Sequence, residues 1–295
     1  MKGIWQSATT QMQVFYLLLL IIFSFVVFSL IGMTAILVGG TPNMIDLHQG
    51  STMGVLKWIQ ACSAIGLFVV PPLLFTYFTN TKLAWGGFNR QQLLLVVAIM
   101  LFSMPLVNAL AIWNEALHLP SFLQPLENWM RQAESDAMRM TQAFLVMNTP
   151  LDLLINLLII AVIPALGEEL LFRGLIQKLV YKWKSNIHLS VWLTAFLFSA
   201  VHMQFLGFFP RMLLGALLGY MLVWTGSLWL PIIAHFTNNA LAVLMTYFSG
   251  LEPLQSTLEN SEFGLELVVS VVGTLLLLYI FKELSDKKAT KKPLH

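Results

Sequence analysis

Three ionisable residues sit close together in the run Glu168-Glu169-Leu170-Leu171-Phe172-Arg173, inside an otherwise apolar stretch. Farther along, His202 lies in one hydrophobic segment, and His235 lies with Asn239 in another. Ionisable groups at membrane depth are costly, so they mark functional sites by default. The set comprises two carboxylates, two imidazoles and a carboxamide. A carboxylate can take a proton from water, and an imidazole N–H and a carboxamide NH₂ can hold a developing oxyanion.

Spacing brings them to one depth. Glu168 precedes and His202 follows the turn at Ser185-Asn186 by equal lengths of chain, roughly 26 Å of helix each at 1.5 Å per residue. An antiparallel helix pair therefore sets the two residues at the same height. His235 and Asn239 are spaced i,i+4 and share a helix face, roughly 9–15 Å beyond Trp229. Each residue also has a plainer role open to it. Glu169 and Arg173 are a favourable i,i+4 ion pair with the acid first. A lone histidine can be a satisfied core residue, and Asn239 can be interhelical glue. Gly215 and Gly219 form a GxxxG spacing, which reads as packing. Arg211 reads as a side chain reaching back to the membrane interface.

The elements that must position these groups follow from composition. Of 295 residues, 58% are hydrophobic and 10% charged, with mean hydropathy +0.78. A soluble domain carries about 25% charged residues. The chain thus reads as all-α, a polytopic transmembrane helical bundle. The net charge is +2, and no basic, aromatic-interleaved stripe is present, so nucleic acid is not an expected partner. A single cysteine, Cys62, excludes a disulfide framework.

About eight spans are expected: residues 14–38, 53–78, 91–112, 150–177, 188–206, 208–224, 229–249 and 264–282. The first apolar run is longer than a signal-peptide core, so it reads as a membrane span. Lys2, Lys82, Arg90, Arg173, Lys178, Lys182, Lys184, Lys282, Lys287, Lys288, Lys291 and Lys292 would share the cytoplasmic side with both termini. Asp46, Glu115, Glu127, Glu134, Asp136, Glu252, Glu259 and Glu262 would lie opposite. Three parts are expected. Residues 1–149 hold N-terminal spans with an outer amphipathic helix near 121–147. Residues 150–249 form the core with the polar set, and 250–295 the last span and a basic tail. The amphipathic helix reads as a surface helix or, more sharply, as a lid. The protein is expected in a membrane as a multi-pass chain, the plasma (inner) membrane in a bacterium.

Glu-Glu-x-x-x-Arg at 168–173, Phe-x-x-x-His at 198–202 and His-x-x-x-Asn at 235–239, in that order on successive hydrophobic segments, resemble a known family. It is the CAAX protease and bacteriocin-processing (CPBP/Abi) family of intramembrane peptidases, related to the type II CAAX prenyl endopeptidases. The resemblance covers roughly residues 150–249. It implies an endopeptidase in which Glu168 activates water, His202 positions it, and His235 with Asn239 stabilises the oxyanion. Glu169 and Arg173 take supporting positions. The implied substrate is a membrane protein or lipidated peptide, and membrane lipid is the other partner.

Two questions stay open at this level. Glu168, His202 and His235 form a two-histidine, one-carboxylate set that could bind zinc or another divalent metal. No His-Glu-x-x-His is present to support that by motif. A catalytically silent scaffold or immunity factor, and less readily a transporter, are the function classes to set against the enzyme. Clustering of the polar set at one level argues against a transport path.

Overall fold

The computed structural model describes residues 2–39, 50–250 and 264–289. Asp46, Glu252, Glu259, Glu262, Lys291 and Lys292 from the charge reading lie outside the described residues. Among those described, the fold is helical, and the one bridge of β type joins Trp85 to Ser227.

Helix α1 (Thr10–Met33) starts at Thr9, whose side chain accepts from the Met12 N–H. A short α2 (Ala35–Gly39) follows. Helix α3 (Gly50–Ala64) passes through a wide π turn, Ile65–Val69, into α4 (Val70–Thr79). Pro71 and Pro72, just past the turn, have no N–H to donate, which favours a break in the α ladder there.

Helix α5 (Arg90–Glu115) opens with a capping box between Asn89 and Gln92. Pro105 interrupts it, and the last helix repairs the break. Ser270 accepts from the Leu106 N–H at 3.1 Å and donates to the Phe102 carbonyl at 2.6 Å. No water is at hand in a hydrocarbon layer, so a neighbouring helix must satisfy these groups.

A 3₁₀ turn, Ser121–Leu123, leads into the amphipathic α6 (Gln124–Phe144). Its start is oriented against simple intuition. Glu127 is buried and faces His118 and Arg131, whereas Phe122, Leu126 and Trp129 are exposed. Farther along the pattern reverses, with Asp136 and Arg139 exposed and Ala143 buried.

A long interrupted helix then carries the first acids. It consists of α7 (Pro150–Asn156), a π turn at Leu157–Val162, α8 (Ile163–Glu169), a second π turn at Leu170–Ile176, and α9 (Gln177–Lys184). It ends at Ser185 in the left-handed region. It returns as α10 (Ile187–Ala200), followed by α11 (Phe208–Thr225), α12 (Trp229–Ser249) and α13 (Leu265–Ala289).

Among the described residues six helical spans are long and apolar enough to cross a membrane, and the chain is an integral, multi-pass membrane protein. The other two expected spans are helical but differ from them. Helix α10 has 14 residues, roughly 21 Å of rise, and stops well before residue 206. Helix α12 has 21 residues but carries His235, Asn238 and Asn239 within its apolar run.

The connections gather at two ends. At one end Lys178 Nζ donates to the Lys82 carbonyl, Lys182 Nζ to Gln13, and the Leu228 N–H to the Ala84 carbonyl. The Ser227 hydroxyl caps the Gly86 carbonyl beside them. At the other end Asn114, closing α5, grips the segment after α10. Its amide donates to the Phe205 carbonyl, and its oxygen accepts from the Phe209 N–H. Two apolar clusters flank the space between. Val96, Ile99, Leu218, Met221, Leu230 and Phe281 form one, and Leu17, Phe75, Phe172, Leu175 and Phe198 belong to the other.

Gly215 and Gly219 let α11 press onto its neighbours. A Cβ at Gly219 would stand 2.9 Å from Gln177 Oε1 and 3.0 Å from Val191, and one at Gly215 would meet Phe198 and Ala195. The bare backbone also leaves both carbonyls reachable. Gly215 O accepts from Arg173, and Gly219 O accepts from Gln177.

Candidate functional site

Glu168 and Glu169 close α8, immediately before the second π turn. Glu169 is fully buried and tied down. Its Oε1 accepts from Arg173 Nη1 at 2.7 Å and from His235 Nδ1 at 2.9 Å. Arg173 is itself sealed. It donates to Gly215 O at 2.9 Å, and its guanidinium lies 4.5 Å over the Phe198 ring. The i,i+4 ion pair expected from the sequence is therefore present, and Glu169 also anchors a histidine from another helix.

His202 lies beyond the end of α10, in a turn, rather than on a helix. Its own N–H bonds weakly to Ser199 O, which leaves the Phe198 carbonyl, near the helix end, in need of a donor. His202 Nδ1 fills that need at 2.8 Å. A carbonyl oxygen can only accept, so Nδ1 carries the proton. Carboxylate Glu169 likewise takes its hydrogen from His235 Nδ1. In the neutral imidazoles, both Nε2 atoms are then lone-pair acceptors.

Both Nε2 atoms face Glu168. Glu168 Oε2 is 4.0 Å from His202 Nε2 and 3.9 Å from His235 Nε2, and it has no hydrogen-bond partner among the described residues. These separations are too long for direct hydrogen bonds. They are the right size for one water, with legs of about 2.8 Å to each atom. Phe198 holds the assembly from below. Its ring edges against both histidines, at 5.2 Å and 5.8 Å between centroids. Three separate elements thus deliver Glu168, His202 and His235 to one small space.

The same three atoms can be tested against a metal. Ligands around tetrahedral zinc, with bonds of about 2.0–2.2 Å, stand about 3.4 Å apart. The atoms here would have to close by about half an ångström relative to that spacing, and no ready-made ligand group occurs among the described residues. The chemistry of the set does fit, because each histidine anchors its Nδ1 and frees its Nε2, as metal-bound histidines do.

Asn239 is placed differently. Pro164 has no N–H, so the Ile160 carbonyl, four residues back, loses its ordinary helical partner. Asn239 Nδ2 donates to that oxygen at 3.1 Å, and its Oδ1 accepts from Asn238. Asn239 therefore joins α12 to the first π turn of the long helix.

Other residues near the site were less visible in the sequence. Gln177 is buried and bonds across to α11. Arg211 is tied to a neighbour. It is part-buried and folds back onto Gln204, in the loop that His202 begins. The signal for Gln177 was its place one turn beyond Arg173. Arg211 had no such signal.

Comparison with known proteins bears on these positions. Residues 150–241 match the family model described as type II CAAX prenyl endopeptidase Rce1-like. Glu168, Glu169, Arg173, His202, His235 and Asn239 all fall inside the match, so the family likeness seen in the ordered motifs holds over this segment. The chain is also similar to two proteins of Bacillus subtilis (strain 168). "Uncharacterized protein YpbD" is 32% identical over 89 residues, which is 29% of this chain and 42% of the relative. "Putative membrane peptidase YdiL" is 26% identical over 131 residues, which is 44% of this chain and 50% of the relative. The chain thus spans half or less of the length of each of these relatives. No solved structure matches it significantly.

Proposed function

We propose that this protein is an intramembrane endopeptidase that hydrolyses a peptide bond in a membrane-associated protein or lipidated peptide. One observation carries the reading. A buried carboxylate oxygen of Glu168 has no partner among the described residues and stands one water's width from two imidazole acceptors.

In the mechanism, a water donates one hydrogen to Glu168 Oε2 and the other to His202 Nε2, with His235 Nε2 beside it. Glu168 takes a proton as the water oxygen attacks the scissile carbonyl carbon. The imidazoles hold the water's orientation, His202 through the Phe198 carbonyl and His235 through Glu169. Collapse of the tetrahedral species returns the proton from Glu168 to the leaving amine. The family likeness assigns the oxyanion to His235 and Asn239. In this geometry His235 presents a lone pair and Asn239 is partly engaged, so a further donor is called for. If a divalent ion such as zinc is used, Glu168, His202 and His235 are the residues to hold it, and it would polarise the carbonyl and acidify water.

The lysines gathered near 82 and 178–184 are proposed to mark the cytoplasmic end, with both termini there. Membrane lipid is the proposed surrounding partner of the exposed apolar surface on α1 and α13.

The test is Glu168→Gln, which keeps size and polarity but removes the base. A lipidated peptide carrying a fluorophore and quencher on either side of the scissile bond is incubated with protein in detergent. Wild type should cleave it and Glu168→Gln should not, with unchanged thermal unfolding. Full activity of the variant would overturn the hydrolytic reading.

A further inference from the structure

We infer that Arg211 is a further catalytic residue, whose guanidinium, aimed by Gln204, takes up the negative charge that develops on the scissile carbonyl. This inference rests on the peptidase reading above and adds the group that reading lacks.

The argument begins with the donors. An oxyanion is stabilised by N–H groups already pointed at the place where charge will appear. His235 gives its Nδ1 hydrogen to Glu169, and in the neutral form its Nε2 is an acceptor. Asn239 gives one amide hydrogen to Ile160 O. Arg173 is fully buried beneath Phe198 and committed to Glu169 and Gly215. The groups nearest the reacting water are thus largely turned away from it.

Arg211 is not. It lies in the first turn of α11, at the far end of the loop that starts at His202. Nη1 donates to the Gln204 carbonyl at 3.2 Å and Nη2 to Gln204 Oε1 at 2.8 Å. A guanidinium has five N–H donors, so three remain after these two bonds. The fork is rigid, and two bonds to one residue fix its plane. Its charge acts on both Glu168 and His202. Yet among the described residues the ion-pair neighbours of Glu168 within 4.0 Å are His202 and His235, not Arg211. The guanidinium is therefore not consumed in an ion pair with the base.

Gly207 makes room for this pose. A Cβ at 207 would stand 3.2 Å from Arg211 Nη2, closer than ordinary van der Waals contact. The loop is in turn held from α6. Glu134 Oε2 accepts from the Leu206 N–H at 3.1 Å, and Trp129 packs on Phe205 at 5.3 Å.

The experiment measures kcat, KM and thermal unfolding for Arg211→Gln, Arg211→Lys, Arg211→Ala and Gly207→Ala, on the same fluorogenic lipidated peptide. Arg211→Gln should lower kcat by about 10²–10³-fold with KM little changed, the signature of an interaction made only in the transition state. Arg211→Lys should recover part of the loss. Guanidinium ion at non-denaturing concentration should raise the rate of Arg211→Ala and leave wild type unmoved, which a purely structural arginine would not show. Gly207→Ala keeps every charge but displaces the fork, so it should lower kcat with an unchanged unfolding midpoint. Wild-type kcat in Arg211→Gln, or a raised KM alone, overturns the inference if Glu168→Gln is inactive. Should Arg211→Gln fail to fold, wild-type kcat in Gly207→Ala overturns it. Activity persisting in Glu168→Gln would instead bring down the peptidase reading itself.

Discussion

Arg173→Met removes one partner of a completely buried ion pair, and its consequence can be worked out from the geometry. Both side chains of the Arg173–Glu169 pair have zero exposure, and the bond is 2.7 Å long. The substitution leaves the Glu169 carboxylate in the interior with His235 Nδ1 as its remaining hydrogen-bond donor among the described residues. It also removes the donor that reaches Gly215 O. Breaking a buried pair from one side costs about 3–5 kcal/mol. Replacing both members by apolar residues of similar size is often neutral. Glu169→Met/Arg173→Met should therefore regain most of the stability that Arg173→Met loses. It should not regain activity, because His235 loses the acceptor that orients it. Loss of such a supporting partner is typically worth about 10–100-fold. Stability is read by titrating the detergent-solubilised protein with SDS and following the fluorescence of its 9 tryptophans. A double variant as unstable as Arg173→Met would refute the claim that an uncompensated charge is responsible. A double variant with full activity would refute the anchoring role of Glu169.

Two further outcomes test the surroundings. Gly219→Val places atoms where Gln177 and Val191 already stand within 3.0 Å, and overpacking of this kind costs about 1–3 kcal/mol, read as a lowered SDS midpoint. An unchanged midpoint would mean that α10 and α11 do not meet as closely as described. At the start of α6, the hydrogen bond from His118, and then that from Arg131, hold the Glu127 carboxyl at about 2, below its ordinary 4.5. A lowered folded-state value stabilises above the ordinary one and is lost as pH falls through the lowered one. Hydrogen exchange at residues 118–131 should thus stay slow from pH 7 to about 4 and quicken as pH nears 2; quickening already at pH 5 would refute it.

Most of the helices were legible because hydropathy and helix length are linked in a membrane. The end of α10 was not. Residues Phe205, Leu206, Phe208 and Phe209 are as apolar as those before them, so hydropathy does not fall where the helix stops. The stop is set by tertiary partners. Asn114 from α5 takes up both the Phe205 carbonyl and the Phe209 N–H, and Ser199 donates to Phe208 O. Met203 adopts the left-handed region as the chain reverses. The π turns were similarly hidden, although Pro71, Pro72 and Pro164 mark two of the three by removing donors just beyond them. The partner that Pro164 makes necessary comes from α12, and hydropathy carries no information about that pairing.

For the site, equal chain length to the Ser185 turn brought Glu168 and His202 together correctly, even though His202 is off the helix. The extra turn costs little height, because the chain doubles back to cap Phe198. The adjacency of Glu168 and Glu169 looked redundant in the sequence, and helical geometry explains why it is not. Successive residues on a helix point about 100° apart, so two neighbouring acids turn different ways and here meet different ring nitrogens of His235. One acid turns into the packed interior, where Arg173 and His235 hold its Oε1. Its neighbour turns toward the space between the two Nε2 atoms, where its Oε2 is left without a bond among the described residues. Glu169 sets the orientation of His235, and His235 helps define the gap that Glu168 faces. Glu168 in the proposed role of base needs both arrangements at once: a neutralised scaffold close enough to be rigid, and one oxygen kept free for the reacting water. A pair of consecutive glutamates on one helix provides both.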